Sequence, residues 1–258
     1  MIIVNTVEIF LSDSYVRLEL SDGKKYRILL KDYENLPFGC KPDSRLENTI
    51  IDTDKISLSE TNGYFEGDCA AFLGFLSKKY AIYKSAIAKV ALADVPKKQL
   101  FQKLFFAVRK NSPEADAGQL KTLCGLVCAE FEARGYVDDR RYAQNKAKYL
   151  KDYKKYGNGK IKEQLYQKGI PPDIISETLE DEYFSDEEGE FSNMRTLLRK
   201  KYGENLDRMD KSDKNAVQKA ITMLVRNGYR YQAAKNALAE IVDETDIDFM
   251  EDEEYIDE

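Results

Sequence analysis

Residues 133–144 read ARGYVDDRRYAQ, and the way this stretch stops one helix and starts another decides the fold. Upstream, Leu120, Leu123, Cys124, Val127, Cys128 and Phe131 fall at i, i+3, i+4, i+7, i+8 and i+11. That spacing is one apolar stripe along a helix over 118–134. Gly135 follows where a helix C-terminus needs a residue that enters the left-handed region without a Cβ penalty. Asp138 or Asp139 then caps the next helix, where an acid also suits the positive end of the helix dipole. Two helices meet at a tight junction with no loop residues to spare.

The helical period extends in both directions. Further helices are expected over 69–92, 96–109 and 139–155, the last with Tyr142, Ala143, Lys146 (by its stem), Tyr149, Leu150 and Tyr153 on its inner side. The glycines of KYGNG (155–159) break it. Ile161 and Leu165 carry a short helix that Gly169 ends, and Pro171 and Pro172 open another with Ile174, Ile175 and Leu179 inward. The pattern then recurs. KIKEQLYQKGIPPDIISETL (160–179) and KAITMLVRNGYRYQAAKNAL (219–238) align 59 residues apart at Lys160/Lys219, Leu165/Leu224, Gly169/Gly228 and Leu179/Leu238. KKYG occurs at 154–157 and again at 200–203, so the later copy holds about 13 extra residues near GENLDRMDKSDKN. A diverged first copy lies over 78–135, lengthened around KNSPEADAG (110–118).

The first thirty residues differ in kind. IIVNTVEIFL is rich in β-branched residues, YVRLEL and KYRILL alternate apolar with polar, and SDGK between them signals a hairpin. ISLSE (56–60) reads as one more strand. The expected organisation is a small β-rich N-terminal domain (1–66), a diverged helical repeat (67–137), a second repeat (138–184), a third with an insertion (185–243) and a disordered acidic tail (244–258). The fold class is mainly α: three tandem three-helix repeats, none able to bury its apolar face alone, stacked into an elongated curved array.

Composition excludes several functions. The 258 residues include no histidine and no tryptophan. Without histidine there is no Ser-His or Cys-His nucleophile pair, no imidazole base and no mixed Cys/His zinc site. GNGK (157–160) lacks the spacing and hydroxyl of a phosphate loop. The expectation is a protein that is not an enzyme and takes no cofactor. Cys124 and Cys128 are one turn apart, but on the apolar stripe, and read as buried thiols rather than metal ligands. Four cysteines are too few for a disulfide framework, no apolar run spans a bilayer and the N-terminus does not read as a signal peptide. These readings favour a cytoplasmic monomer with no membrane partner.

Charge is unevenly placed. The segment 240–258 holds eleven acids and no base, and without it the net charge moves from −6 to +5. Between 140 and 170 stand ten bases, Arg140, Arg141, Lys146, Lys148, Lys151, Lys154, Lys155, Lys160, Lys162 and Lys168, against Asp152 and Glu163 alone. EDEYFSDEEGE (180–190) then has seven acids and no base. Ten against two is too lopsided for a surface of balanced ion pairs, and the block reads as a footprint for phosphates or an acidic partner. Tyr142, Tyr149, Tyr153, Tyr156 and Tyr166 interleave with these bases. At helical spacing such rings belong more often to a core than to a base-stacking surface.

Together these motifs resemble a known family. GYVDDRRYA (135–143) is similar to the G-Y-[LIV]-D-D-x-[RK]-[FY]-A signature of the bacterial RecX regulatory proteins, and YGNGKIKEQLYQKGIPPDIISETLED and LVRNGYRYQAAKNAL resemble their later repeats. The positions that carry the likeness are Gly135, Tyr136, Asp138, Asp139, Tyr142, Gly157, Leu165 and Gly169. The resemblance implies three tandem three-helix repeats, no catalytic site, and binding to the RecA recombinase, chiefly as its filament on single-stranded DNA. It further implies that filament assembly, ATP hydrolysis, recombination and the damage response are restrained. The chain departs from the pattern in its first repeat, where VPKKQLFQKL (95–104) matches loosely, and in its insertion and acidic tail. A DNA-binding repeat module acting without RecA, and a general protein-interaction scaffold, are the other readings of the same basic face.

Overall fold

The computed structural model describes residues 2–11, 14–37, 49–51, 61, 63, 65–203, 206, 209 and 213–253, with backbone alone at 2–3, 49–51, 182, 185 and 243–253. The expected strand at 56–60 lies outside the described residues. The chain is mainly helical with a small antiparallel sheet at its N-terminus, and it divides into two compact units, Met1–Val137 and Asp138–Glu258.

In the first unit, β1 (Ile2–Phe10), β2 (Tyr15–Leu20), β3 (Lys25–Leu29) and β4 (Thr49–Ile51) form an antiparallel sheet in the order β3-β2-β1-β4. The SDGK turn closes as expected: Gly23 has φ +81° and the Asp22 carboxylate accepts the Lys24 amide at 3.0 Å. Val16, Leu18 and Leu20 alternate inward along β2 and are buried. α1 (Leu30–Glu34) follows β3 directly, and then come α2 (Cys69–Val90), α3 (Lys97–Asn111) and α4 (Ala117–Ala133). Sheet and helices share one core, in which Val16, Leu18 and Ile28 join Phe72, Leu73 and Leu76 of α2, Leu100 and Leu104 of α3, and Leu123, Val127 and Phe131 of α4. All six stripe residues of α4 are buried, and burial pushes the Cys124 and Cys128 thiols up to about 11 and 12. Lys79 of α2 donates to Asp32 of α1 at 2.7 Å with both side chains nearly enclosed, an ion pair whose halves would each be costly alone.

The second unit holds α5 (Asp139–Asp152), α6 (Asn158–Lys168) and α7 (Pro172–Glu180), then the single turn α8 (Glu182–Ser185), then α9 (Glu187–Tyr202), α10 (Lys214–Arg226) and α11 (Tyr231–Glu253). α11 carries helix into the acidic segment as far as Glu253. Repeat two packs Ala143, Ala147, Leu150, Ile161, Leu165, Ile170 and Ile175 together, and repeat three packs Met194, Leu198, Ile221, Leu224, Ala234, Leu238 and Ile241. Leu206, inside the expected insertion, is fully buried in that second cluster. Among the described residues no helix is long and apolar enough to cross a membrane.

One helix-ending device is used three times among the described residues. Gly135, Gly169 and Gly228 take φ of +72°, +86° and +95° after α4, α6 and α10. The next amide reaches back five residues, Tyr136 to the Phe131 carbonyl (2.9 Å), Ile170 to Leu165 (3.2 Å) and Tyr229 to Leu224 (3.3 Å). This is the Schellman closure, which satisfies carbonyls a helix end leaves open. It is the physical content of the 59-residue match, because Leu165/Leu224 accept that bond and Gly169/Gly228 make the left-handed turn that brings the next amide back to it.

The third glycine has a second task. The Gly157 amide donates to the Asn227 carbonyl at 2.9 Å and the Gly159 amide to the Gly228 carbonyl at 3.0 Å. The Tyr229 hydroxyl donates to the Lys155 carbonyl at 2.8 Å. A Cβ on Gly157 would lie 2.6 Å from the Gly228 oxygen, and one on Gly228 would strike the Lys160 amide nitrogen. The α5–α6 corner and the α10–α11 corner thus touch backbone to backbone. Gly135 has open space where a Cβ would go. Gly135→Ala therefore incurs only left-handed strain, about 1 kcal/mol, whereas Gly228→Ala adds a backbone collision and costs about 3 kcal/mol, measured by urea unfolding of the two variants.

Candidate partner-binding face on the second repeat

The local sequence builds this face from one capped helix and one corner. The Asp138 carboxylate accepts the Arg141 amide at 3.0 Å, so Asp138 is the cap and Asp139 sits in the first turn. α5 ends at Asp152, and the chain turns through Lys154 and Lys155, the latter at φ +58°, before Gly157 starts α6. Of the ten bases, α5 carries Arg140, Arg141, Lys146, Lys148 and Lys151, the corner carries Lys154 and Lys155, and α6 carries Lys160, Lys162 and Lys168.

These ten are not alike. Arg140, Arg141, Lys148, Lys154 and Lys162 are exposed, and Lys146, Lys155, Lys160 and Lys168 are half-buried. Arg140 pairs with Glu177 of α7, and Lys160 pairs with Glu163 at 2.6 Å. Both are surface pairs of small worth. Lys151 departs from the rest: it is 5% exposed. Its ammonium donates to the Tyr183 carbonyl and lies 4.6 Å from the Tyr183 ring and 5.6 Å from that of Phe184. The Asn193 amide of α9 donates to the Lys151 carbonyl at 3.3 Å, and the Asn158 amide of α6 to the Phe184 carbonyl at 3.0 Å. Lys151 is thus a strut beneath α8 and faces the protein, because the acidic linker after α7 folds back over the end of α5.

Tyr183 ties the same corner from outside. Its hydroxyl donates to Asp152, and burial first, then that carboxylate, push the phenol up to about 12. Lys148 lies 5.6 Å over its ring. Asp152, one of the two acids in the basic block, is thereby engaged.

The tyrosines divide as well. Tyr142 and Tyr156 pack on the repeat-two core. Tyr149, Tyr153 and Tyr166 are 41%, 77% and 67% exposed, so Tyr149 and Tyr153 leave the inner side the helical spacing assigned them. The reason is volume: Ala143, Ala147 and Leu150 already fill the α5 contribution to that core. Among the motif positions, Gly135 and Gly169 end helices, Leu165 is fully buried, and Tyr136 is half exposed with its ring 5.5 Å from Phe131.

A groove of about 1420 Å³ runs between the second and third repeats, from Lys160 and Glu163 to Glu187, Phe191 and Arg230. Six acids line it against four bases, and burial raises the half-buried Glu190 carboxyl. Acids in excess make it a poor place for phosphates, which leaves α5 and its corner as the cationic surface. Sequence reading missed Lys151, Asn158, Asn193 and Tyr183 as a linked set; the signal available was a basic helix followed at once by an acid-rich, aromatic linker. Lys151→Ala should cost about 2–3 kcal/mol of stability by urea unfolding, since a charged donor's buried bond and two ring contacts go with it. Lys148→Ala should stay within about 0.5 kcal/mol, as surface changes do.

Comparison with known proteins bears on the same segment. The family model described as RecX, second three-helix domain, matches residues 138–179. A protein named Regulatory protein RecX from Clostridium botulinum (strain Alaska E43 / Type E3) is 33% identical over 106 residues, 41% of this chain and 47% of that protein. The match therefore spans about half of that relative's length. A crystal structure of regulatory protein RecX superposes with a TM-score of 0.62 at 13% identity, covering 95% of this chain and all of that one. The crystal structure of RecX from Lactobacillus salivarius does so at 0.51 with 16% identity, covering 63% and 96%. Identity that low speaks for the fold. With the domain match and the 33% identical relative beside it, residues 138–179 are similar to the second three-helix domain of RecX proteins, and the chain as a whole has a RecX-like fold.

Proposed function

We propose that this chain binds the RecA recombinase, chiefly as a filament on single-stranded DNA, and restrains its assembly, its ATP hydrolysis and its recombination and damage-response activity. The observation that carries the proposal is the match of 138–179 to the RecX second domain, which contains residues 140–170, where bases outnumber acids ten to two. A RecA–DNA filament offers such a face both phosphates and acidic protein surface.

Restraint needs no chemistry from the chain. A ligand shifts a two-state equilibrium by its differential affinity, so binding tighter to a filament state that cannot extend is enough. Each tenfold of preference is worth about 1.4 kcal/mol. The exposed bases Arg141, Lys148 and Lys154 are the contact residues in this reading, and Lys151 is not, because its ammonium is spent inside the unit. The chain acts as a monomer in the cytoplasm and touches DNA as well as RecA.

The test is RecA-dependent ATP hydrolysis on single-stranded DNA. The native chain should slow it, and the variant Arg141→Glu/Lys148→Glu/Lys154→Glu should lose most of that effect while keeping its helical circular dichroism. Inhibition by the folded variant equal to that by the native chain removes this face from the proposal, and a native chain without effect on hydrolysis removes the proposal itself.

A further inference from the structure

We propose that Tyr149 and Tyr153 form a stacking platform for the unpaired bases of a single-stranded nucleic acid. Lys146 and Tyr149 of α5 and Tyr153, the residue that caps its C-terminus, follow at i, i+3 and i+7, a column on one side of the helix. The two rings lie 5.4 Å apart and 28° from parallel, and the Lys146 ammonium sits 4.9 Å over the Tyr149 ring. Tyr153, at the end of the column, is 77% exposed. An offset ring stack with a cation at one end and an open face at the other is the surface that a nucleobase extends by one more layer.

The neighbours suit such a strand. Lys148 and Lys154 are exposed beside the column, within reach of phosphates, and the nearby Asp152 carboxylate accepts the Tyr183 hydroxyl. The core does not need these rings. Tyr142 and Tyr156 of the same segment pack on it, and α5 supplies Ala143, Ala147 and Leu150 to its centre. Every base has a π-face, so the platform is tolerant of sequence but demands an unpaired base. This inference goes beyond the RecA reading and does not rest on it, since the contact is to the strand itself and is tested without RecA.

The chain contains no tryptophan, so Tyr153→Trp places a lone reporter on the platform. It is titrated with a (dT) 15-mer, an (rU) 15-mer and an abasic DNA 15-mer carrying the same phosphates. Stacking predicts quenching of the indole by (dT), by (rU) or by both, the pair of arms assigning the strand to DNA, RNA or either, with little response to the abasic strand. Tyr149→Ala/Tyr153→Ala should bind the responsive base-bearing strand about tenfold more weakly, with abasic binding unchanged, and Tyr149→Phe/Tyr153→Phe should keep native affinity. Circular dichroism confirms that each variant is folded. An indole that neither (dT) nor (rU) quenches, or equal affinity for base-bearing and abasic strands, overturns the proposal.

Discussion

The second unit depends on one close approach, that of Gly157 and Gly228. The corner between α5 and α6 donates two backbone hydrogen bonds, at 2.9 and 3.0 Å, to the corner between α10 and α11, with no room for a side chain between them. Ordinary helix packing sets axes some 8–10 Å apart through side chains and tolerates sliding. Amide-to-carbonyl bonds between corners tolerate none, because each fixes a donor and an acceptor within tenths of an ångström. The Tyr229 hydroxyl on the Lys155 carbonyl adds a third tie to the same corner. The positions of α5 and α6 relative to α10 and α11, and so the placement of every base on the second repeat, follow from that contact.

Lys151 shows how the same corner divides a block of like charges. Close cations repel, and a helix presenting all of them to water would meet that repulsion in full. Drawing one ammonium inward, under two aromatic rings and onto a carbonyl, turns a member of the block into a fastening for the acidic linker. Asp152 is engaged by Tyr183 in the same stroke. What remains outward is a thinner, more purely cationic set on α5 and its corner. The acids, meanwhile, gather in the groove between repeats, where burial raises Glu190. One unit therefore offers a base-rich helix and an acid-rich groove. Separated charges of opposite sign give a charged partner an orientation as well as an attraction.

Much of the fold was legible in the sequence, for reasons that differ by element. The α4 stripe could be read because six apolar residues at 3.6 spacing have one stable disposition, and all six are buried. The hairpin could be read because SDGK supplies the positive φ that its turn needs. Gly169 and Gly228 could be matched across repeats because a Schellman closure turns on the glycine and ties the residue after it to a leucine five residues earlier. Legibility failed where the deciding partner lies far along the chain. Gly157 read as a helix breaker, and nothing local says that its amide bonds a carbonyl 70 residues away. The burial of Lys151 depends on a one-turn helix, α8, whose acid-rich sequence reads as solvated linker.

The tyrosines show the limit of periodicity most plainly. Positions 142, 149, 153 and 156 all satisfy a helical period, yet two rings pack on the core and two face outward. Period assigns a residue to a sector of the helix, not to a depth, and depth is set by the volume the neighbours leave. Two alanines and a leucine fill the side of α5 that meets the core, so Tyr149 and Tyr153 are left outside while Tyr142 packs at its margin. The small residues that look least informative in YAQNKAKYL are thus the ones that expel the rings. An aromatic at helical spacing is core when its helix has nothing else to bury, and a candidate contact surface when alanines have already filled the interior.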